Sequence, residues 1–145
     1  MKNTLLALAL LGATGFGLAA ALPASADIPA PRAEDVLEDS METMNGAMKT
    51  LLKGGVSAET KDKCLDATVR MQGAIVAAKS GKPHDLSAEE LLGYRKMMAD
   101  LLAATCKLEV AILDGKFEDA NKLVKEDLSR FKKEGHDKYQ KEEEH

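Results

Sequence analysis

Residues 87–113, with the sequence SAEELLGYRKMMADLLAATCKLEVAIL, hold the most regular hydrophobic pattern in the chain. Ser87 followed three residues later by Glu90 forms a capping box, a common helix start, and Asp114-Gly115-Lys116 is a tight break. Between them, apolar side chains recur at spacings of three and four residues, which places them on one helical face. This stripe consists of Leu91, Tyr94, Met98, Leu101, Thr105, Leu108 and Ile112. The pattern predicts a long amphipathic helix.

Two further helices are predicted before this segment. The first runs from Asp35 to the pair Gly54-Gly55, and its apolar stripe consists of Leu37, Met41, Met44, Met48 and Leu51. The second begins after Ser57, a residue type common at helix N-caps, and ends at Ser80-Gly81-Lys82-Pro83. Along one side it carries Cys64, Met71, Ile75 and Ala78.

A fourth helix is predicted from about Phe117 past Tyr139. Phe117, Val124, Leu128, Phe131 and Tyr139 lie within roughly 60° of one line along it, at about 100° per residue. Helices with a single apolar stripe are not stable alone, and short connections make consecutive helices antiparallel. No strand pattern competes. We therefore predict an all-α fold, an antiparallel up-down-up-down four-helix bundle over residues 35–141, followed by a charged tail at 142–145.

The first 26 residues have the pattern of a cleaved secretory signal peptide. Lys2 supplies the positive start, residues 5–22 form an uncharged apolar run, and Ala24-Ser25-Ala26 is a small-x-small cleavage site. A membrane anchor is the alternative interpretation. The glycines within the run, Pro23 at its end and the cleavage motif favour removal. Residues 27–34 then form an extended leader containing Pro29 and Pro31, and the protein is expected to be exported.

Composition excludes some functions of the remaining 119 residues, which suffice for one domain. The chain has 20 basic and 24 acidic residues, and loss of Lys2 leaves 19 against 24, a net charge near −5. An acidic protein is not expected to bind nucleic acid, which demands a basic surface, and nothing indicates a membrane partner after signal cleavage. The scarcity of aromatic residues suits packed helices better than sheets.

The two cysteines lie at equal distances from the turn near residue 85. Cys64 is early in the second helix and Cys106 late in the third, so an antiparallel pair would place them level with each other. Exported proteins meet an oxidising compartment, which favours a structural disulfide between them. Two buried free thiols, behaving as small apolar residues, are the alternative.

Residues able to bind a metal gather at one end of the predicted bundle. The start of the first helix and the end of the fourth share that end, so Met41 and His136 can face a common cavity. A thioether and an imidazole are a known axial pair for haem iron. Tyr94 and Met98, early in the third helix, would wall the cavity. Small residues late in the second helix would leave room for a flat macrocycle: Ala74, Ala77 and Ala78.

Each of these residues also has a plainer interpretation. The methionines at 41, 44 and 48 fit a core stripe, where methionine fills irregular gaps. His136 lies on the flank of the apolar face, where a lone histidine is often a partly exposed surface residue. His84, in the second turn, is either an exposed loop residue or a substitute ligand for Met41. No Cys-x-x-Cys-His motif is present, which excludes covalent haem attachment of the c type.

Two segments resemble the ends of the cytochrome b562 family: Glu38-Asp39-Ser40-Met41-Glu42-Thr43-Met44-Asn45 and Gly135-His136-Asp137-Lys138-Tyr139. Tyr94 and Met98 fall where that family has two haem-facing aromatics, and Lys132 falls where it has an arginine. The fourth helix is one residue longer than the family pattern between Gly115 and His136. The resemblance implies that Met41 and His136 are the sixth and fifth ligands of the haem iron.

The resemblance further implies a soluble, monomeric periplasmic protein that holds one b-type haem per chain non-covalently. Such a protein would carry single electrons to a redox partner whose identity the sequence does not reveal. It would not be an enzyme, and no Glu-x-x-His pairs of a di-iron bundle, nucleophile–base pair or phosphate loop occurs. The alternative is a haem-free periplasmic bundle that acts as a binding or stress-related interaction module through its charged faces.

Overall fold

The computed structural model of the protein describes residues 33–81, 83 and 86–139. The predicted signal peptide, the charged tail and His84 lie outside these residues, as does the leader up to residue 32. Within them the fold is entirely helical, without any strand. No helix there has the length and apolar character needed to cross a membrane.

Four helices follow one another along the chain. The first three are α1 (Ala33–Gly54), α2 (Lys61–Ser80) and α3 (Ala88–Leu113). The fourth helix has three consecutive parts: an α-helical start at Phe117–Lys122, a π-helical turn at Leu123–Leu128 and an α-helical end at Ser129–Tyr139. The sequence pattern predicted all four helices, but it did not predict the π-helical turn.

The capping box predicted for the third helix is confirmed. The Ser87 hydroxyl accepts a hydrogen bond from the Glu90 N–H at 3.3 Å, and the Glu90 carboxylate accepts one from the Ser87 N–H at 2.8 Å. The breaks that flank the helices fall at glycines with positive φ, 62° at Gly55 and 71° at Gly115, where a side chain would be strained. These glycines allow the chain to leave the helical conformation directly after α1 and α3.

The start of the second helix differs from the prediction. Ser57 is not its N-cap, because α2 begins at Lys61 and Thr60 precedes it. Instead, the Ser57 N–H donates to the Thr60 hydroxyl at 2.9 Å, and that hydroxyl donates to the Gly55 carbonyl at 2.9 Å. These bonds close a short turn between α1 and α2. The prediction was wrong because a serine satisfies a turn as readily as a helix N-terminus.

The four helices close a ring around one apolar core, which confirms the predicted all-α bundle. α1 packs on α2, α2 on α3, α3 on the fourth helix, and the fourth helix returns to α1. At one end the core is tightly filled by Leu51, Leu108 and Ile112, all 0% exposed. There the Asn121 carboxamide both accepts the Val56 N–H at 2.9 Å and donates to the Val56 carbonyl at 2.8 Å.

The predicted disulfide between Cys64 and Cys106 is wrong, since both cysteines are free. Cys64 is buried, and its thiol donates to the Gly55 carbonyl at 3.6 Å. Cys106 is exposed on the outer face of α3. The two side chains therefore point in different directions.

The axial register of the two helices also separates these cysteines. The Lys61 ammonium donates to the Leu113 carbonyl at 3.2 Å, which places those two residues near the same level. Lys61 is three residues from Cys64, whereas Leu113 is seven residues from Cys106. At 1.5 Å per residue, the cysteines are offset by at least about 6 Å along the bundle. This offset and their directions do not meet the geometry of a disulfide.

We expect Leu51→Ala to lower the free energy of unfolding by about 2–5 kcal/mol, because it removes a fully buried side chain from the tight end of the core. Leu52→Ala is the matched control: the neighbouring Leu52 is 48% exposed and its truncation should cost less than about 1 kcal/mol. Urea unfolding of each variant, followed by circular dichroism, measures both losses. Equal losses would contradict this description of the core.

We expect the two thiols to react with Ellman's reagent at different rates in the folded, unreduced protein. Cys106 should react promptly because it is exposed, and Cys64 only when the bundle opens. Cys106→Ser should abolish the fast phase, and Cys64→Ser should retain it. A protein without any reactive thiol until a reductant is added would contradict the free cysteines.

Candidate functional site

The other end of the bundle contains a cavity of about 620 Å³. All four helices contribute to its walls, and most lining side chains are apolar. Its volume falls in the usual range for cofactor and ligand sites. The lining residues are Leu37, Glu38, Met41, Glu42, Met44, Asn45, Met48, Met71, Pro83, Tyr94, Met97, Met98, Leu101, Leu128, Phe131, Lys132, Gly135, His136 and Tyr139.

The five residues that the sequence indicated for a cofactor site all line this cavity. Met41 and His136 are on α1 and the end of the fourth helix, Tyr94 and Met98 are on α3, and Lys132 is at the rim. Met41 is 40% exposed and His136 is also exposed, so these two side chains lie near the mouth. Tyr94 and Met98 are buried and form the inner wall. The structure brings the five side chains together, and their role as ligands stays a prediction.

Thioether side chains supply an unusual share of the cavity wall. All six methionines in the described part of the chain line it. The sequence had placed Met48 and Met71 only in core stripes, and it had given Met97 no role in the site. The α1 spacing could have placed Met44 and Met48 in the site, because they lie on the same helical face as Met41. It carries no information about Met71 on α2 or Met97 on α3. Methionine is flexible and polarisable, so this wall can adapt to the shape of a ligand.

Tyr94 is held in a fixed position in the inner wall of the cavity. It is fully buried, and its hydroxyl donates to the Ala78 carbonyl at 3.1 Å. Its ring meets the Tyr139 ring edge-to-face, with centroids 5.4 Å apart at 80°. Burial raises the pKa of the Tyr94 phenol to about 12. Ala78 thus supports this tyrosine through its carbonyl and does not line the cavity; Ala74 and Ala77 also lie outside the lining.

Gly135 and Met97 form the wall beside His136. A Cβ atom built on Gly135 would lie 3.4 Å from Met97 Cε and 3.7 Å from Met97 Sδ. The Met97 side chain therefore fills the space in front of the glycine. Phe131 and Tyr139, one turn away on either side, complete the apolar wall of the fourth helix. Sequence reasoning had placed both aromatics in the core stripe, but not in the site.

Charged side chains stand only at the mouth of the cavity. The Lys132 ammonium donates to the Asn45 carboxamide oxygen at 3.0 Å and so links the fourth helix to α1 across the rim. Glu38 and Glu42 lie on the α1 side of the same rim, and all three charged side chains are exposed. The interior therefore suits an apolar body, while the rim offers an ammonium to an anionic substituent.

This fold and site define an all-helical protein with an apolar cavity at one end, lined by both a thioether and an imidazole. The family model described as cytochrome b562 matches residues 36–140, nearly all of the four helices. The chain therefore belongs to the cytochrome b562 family, as the resemblance in its two end segments predicted. Membership indicates a haem-binding cytochrome. No curated protein matches this sequence.

We expect the stability of the haem-free protein to fall between pH 10 and 12 because of Tyr94. The folded protein holds the phenol proton up to about pH 12, whereas the unfolded chain releases it near pH 10. The stabilisation is therefore full below pH 10 and is lost as the pH rises towards 12.

Tyr94→Phe should flatten the stability profile in this pH window. At neutral pH it should cost about 1 kcal/mol, since the Ala78 carbonyl still accepts the Gly81 N–H at 3.0 Å. Tyr139→Phe leaves Tyr94 as the sole tyrosine, whose absorbance at 295 nm should then rise near pH 12. A rise near pH 10 in that variant would contradict the buried phenol.

Proposed function

We propose that this protein is a periplasmic carrier of single electrons that holds one b-type haem per chain between Met41 and His136. The observation that best supports this proposal is that these two side chains, separated by most of the chain, line one cavity. His136 is the only histidine among the described residues, and thioether with imidazole is the axial pair of several electron-carrying haem proteins. The inference that the ligand is haem rests on membership of the cytochrome b562 family.

We infer further that the helices run up-down-up-down, as the sequence predicted. Contacts between distant residues support this arrangement. Asn121 meets Val56 at the closed end, and Lys132 meets Asn45 at the cavity mouth. The partner on the fourth helix therefore moves towards its C-terminus as the residue on the α1 side moves towards the N-terminus. This order is the one that antiparallel helices have. This arrangement brings the start of α1 and the end of the fourth helix to the same cavity.

The donor set and the cavity shape fit a non-covalent haem. The apolar walls match the macrocycle, and the adaptable methionine side chains can close around its faces. Lys132, at the rim, is placed to pair with a propionate, whereas Glu38 and Glu42 would repel one. Lys132 would therefore be the residue at the mouth that holds a propionate. The absence of a Cys-x-x-Cys-His motif leaves these contacts to hold the group.

The protein's own side chains would determine what the haem does. A bound haem iron exchanges one electron between its ferric and ferrous states. Met41 and His136 would both hold the haem iron and would leave no position open for a substrate, which favours a carrier over an enzyme. The thioether ligand favours the ferrous state and raises the potential. Met41 is 40% exposed, so the haem edge would lie near the surface, within reach of a partner redox protein. We infer that the carrier acts as a monomer.

We expect Met41→Ala to convert a low-spin haem spectrum into a high-spin form, because the variant opens one axial position. His136→Ala should lower the affinity for hemin by at least about tenfold, the equivalent of 1.4 kcal/mol. Met44→Ala is the matched control: it removes a thioether from the same face of α1 and should leave the spectrum low-spin. Visible spectra of protein purified from a periplasm, oxidised and dithionite-reduced, together with hemin titrations of haem-free protein, measure these effects.

Different results would point to different conclusions. A parent protein that is colourless and takes up no added hemin would overturn the haem proposal and favour the haem-free interaction module. A haem spectrum unchanged by Met41→Ala but altered by Met44→Ala would move the thioether ligand by one turn of α1. A protein found only in the cytoplasmic fraction would contradict the periplasmic location.

A further inference from the structure

The fourth helix contains a π-helical turn at Leu123–Leu128, between two α-helical parts. At its end, the Ser129 N–H donates to the Glu126 carbonyl, and the Ser129 hydroxyl donates to the Val124 carbonyl at 3.2 Å. The hydroxyl thus satisfies a carbonyl five residues earlier. A π-turn contains one more residue than an α-turn. The side chains after it therefore point in directions that lag behind those of a continuous α-helix by about one residue's rotation.

Both parts of the fourth helix must face the bundle interior. Before and within the π-turn, Ala120 and Val124 are buried at 0% and 1% exposure in the tight part of the core. After it, Phe131, His136 and Tyr139 line the cavity. Both sets of side chains therefore face the interior of the bundle, one before the end of the π-turn and one after it.

A continuous α-helix would keep Phe131 and Tyr139 within roughly 100° of the Ala120 direction, but it would not turn Lys132 and His136 to that side. Counting from Ala120 at about 100° per residue, His136 would point roughly 160° away and Lys132 roughly 120° away. The extra residue of the π-turn removes about one residue's rotation, or roughly 100°. His136 then lies about 60° and Lys132 about 20° from the Ala120 direction. These directions agree with the cavity lining and with the Lys132–Asn45 hydrogen bond.

We propose that the π-turn at Leu123–Leu128 is a positioning element: its extra residue turns His136 and Lys132 towards the cavity. This inference rests on the proposed function for the consequence in haem binding, but the rotation itself is a property of the haem-free protein. Ser129 stabilises the π-turn, because its hydroxyl donates a hydrogen bond to the Val124 carbonyl. The effect depends on the number of residues in the turn and not on their identity, so no side chain of the π-turn needs to contact the haem.

Deletion of Lys125 tests this proposal. Lys125 is exposed, so its removal takes no packed side chain from the core. The deletion should convert the π-turn to an α-turn and rotate the end of the helix by about 100°. In the haem-free protein, nuclear Overhauser contacts between the Tyr94 and Tyr139 rings, which are 5.4 Å apart in the parent, should disappear. With hemin added, the low-spin spectrum should be lost and the affinity should fall at least about tenfold.

Two control variants separate the number of residues from their identity. Lys125→Ala keeps the residue count and should retain the ring contacts and the parent spectrum. Deletion of Lys125 combined with an alanine inserted between Ser129 and Arg130 restores the count before Phe131. This combined variant should regain the Tyr94–Tyr139 contact and the low-spin spectrum.

The haem-free measurement distinguishes this inference from the proposed function. If the parent takes up no hemin, the ring contacts alone still decide whether the deletion rotates the helix end. A deletion variant that keeps the Tyr94–Tyr139 contact overturns the proposal, whatever its spectrum. If the deletion prevents folding, the combined variant decides: recovery of fold and contact supports the proposal, and failure to recover overturns it.

Discussion

Burial of one apolar stripe per helix is the interaction on which the rest of this structure depends. None of the four helices could persist alone, because each has a single apolar face and a charged remainder. At one end the stripes meet and fill the core, with Leu51, Leu108 and Ile112 fully buried. At the other end the same stripes stay apart and enclose about 620 Å³. The packed end supplies the stability that allows the open end to remain a site.

The residues chosen at the open end reflect this difference. Leucine and isoleucine fill the closed end, whereas methionine lines the cavity, where a flexible side chain can pack on itself or on a ligand. The buried phenol of Tyr94 is anchored to α2 through the Ala78 carbonyl at 3.1 Å, so this wall is rigid where the methionine wall is soft. Lys132 and Asn45 bridge the mouth. The site thus combines a rigid tyrosine wall, adaptable methionine walls and a charged rim, and mostly apolar walls with a few polar groups are typical of cofactor sites.

The π-turn of the fourth helix joins these two ends. Packing at the closed end fixes the rotation of the first half of that helix through Ala120 and Val124. The cavity needs Lys132 and His136, in the second half, to face the interior as well. One extra residue reconciles the two requirements. The sequence predicted one residue more than the family pattern in this helix, and a π-helical turn such as Leu123–Leu128 can accommodate one extra residue. A helix can accept such an insertion wherever a side chain such as Ser129 satisfies the displaced carbonyl.

The sequence by itself determined the four helices, the Ser87 capping box, the glycine breaks and the end of the bundle that carries the site. These follow from periodicity and turn chemistry, which are local properties. Only the tertiary structure decided that Cys64 faces the core while Cys106 faces solvent, that Ser57 closes a turn, and that Met97 fills the space before Gly135. Such outcomes depend on axial register and rotational phase between helices. Those are set by contacts among distant residues, which no local pattern encodes.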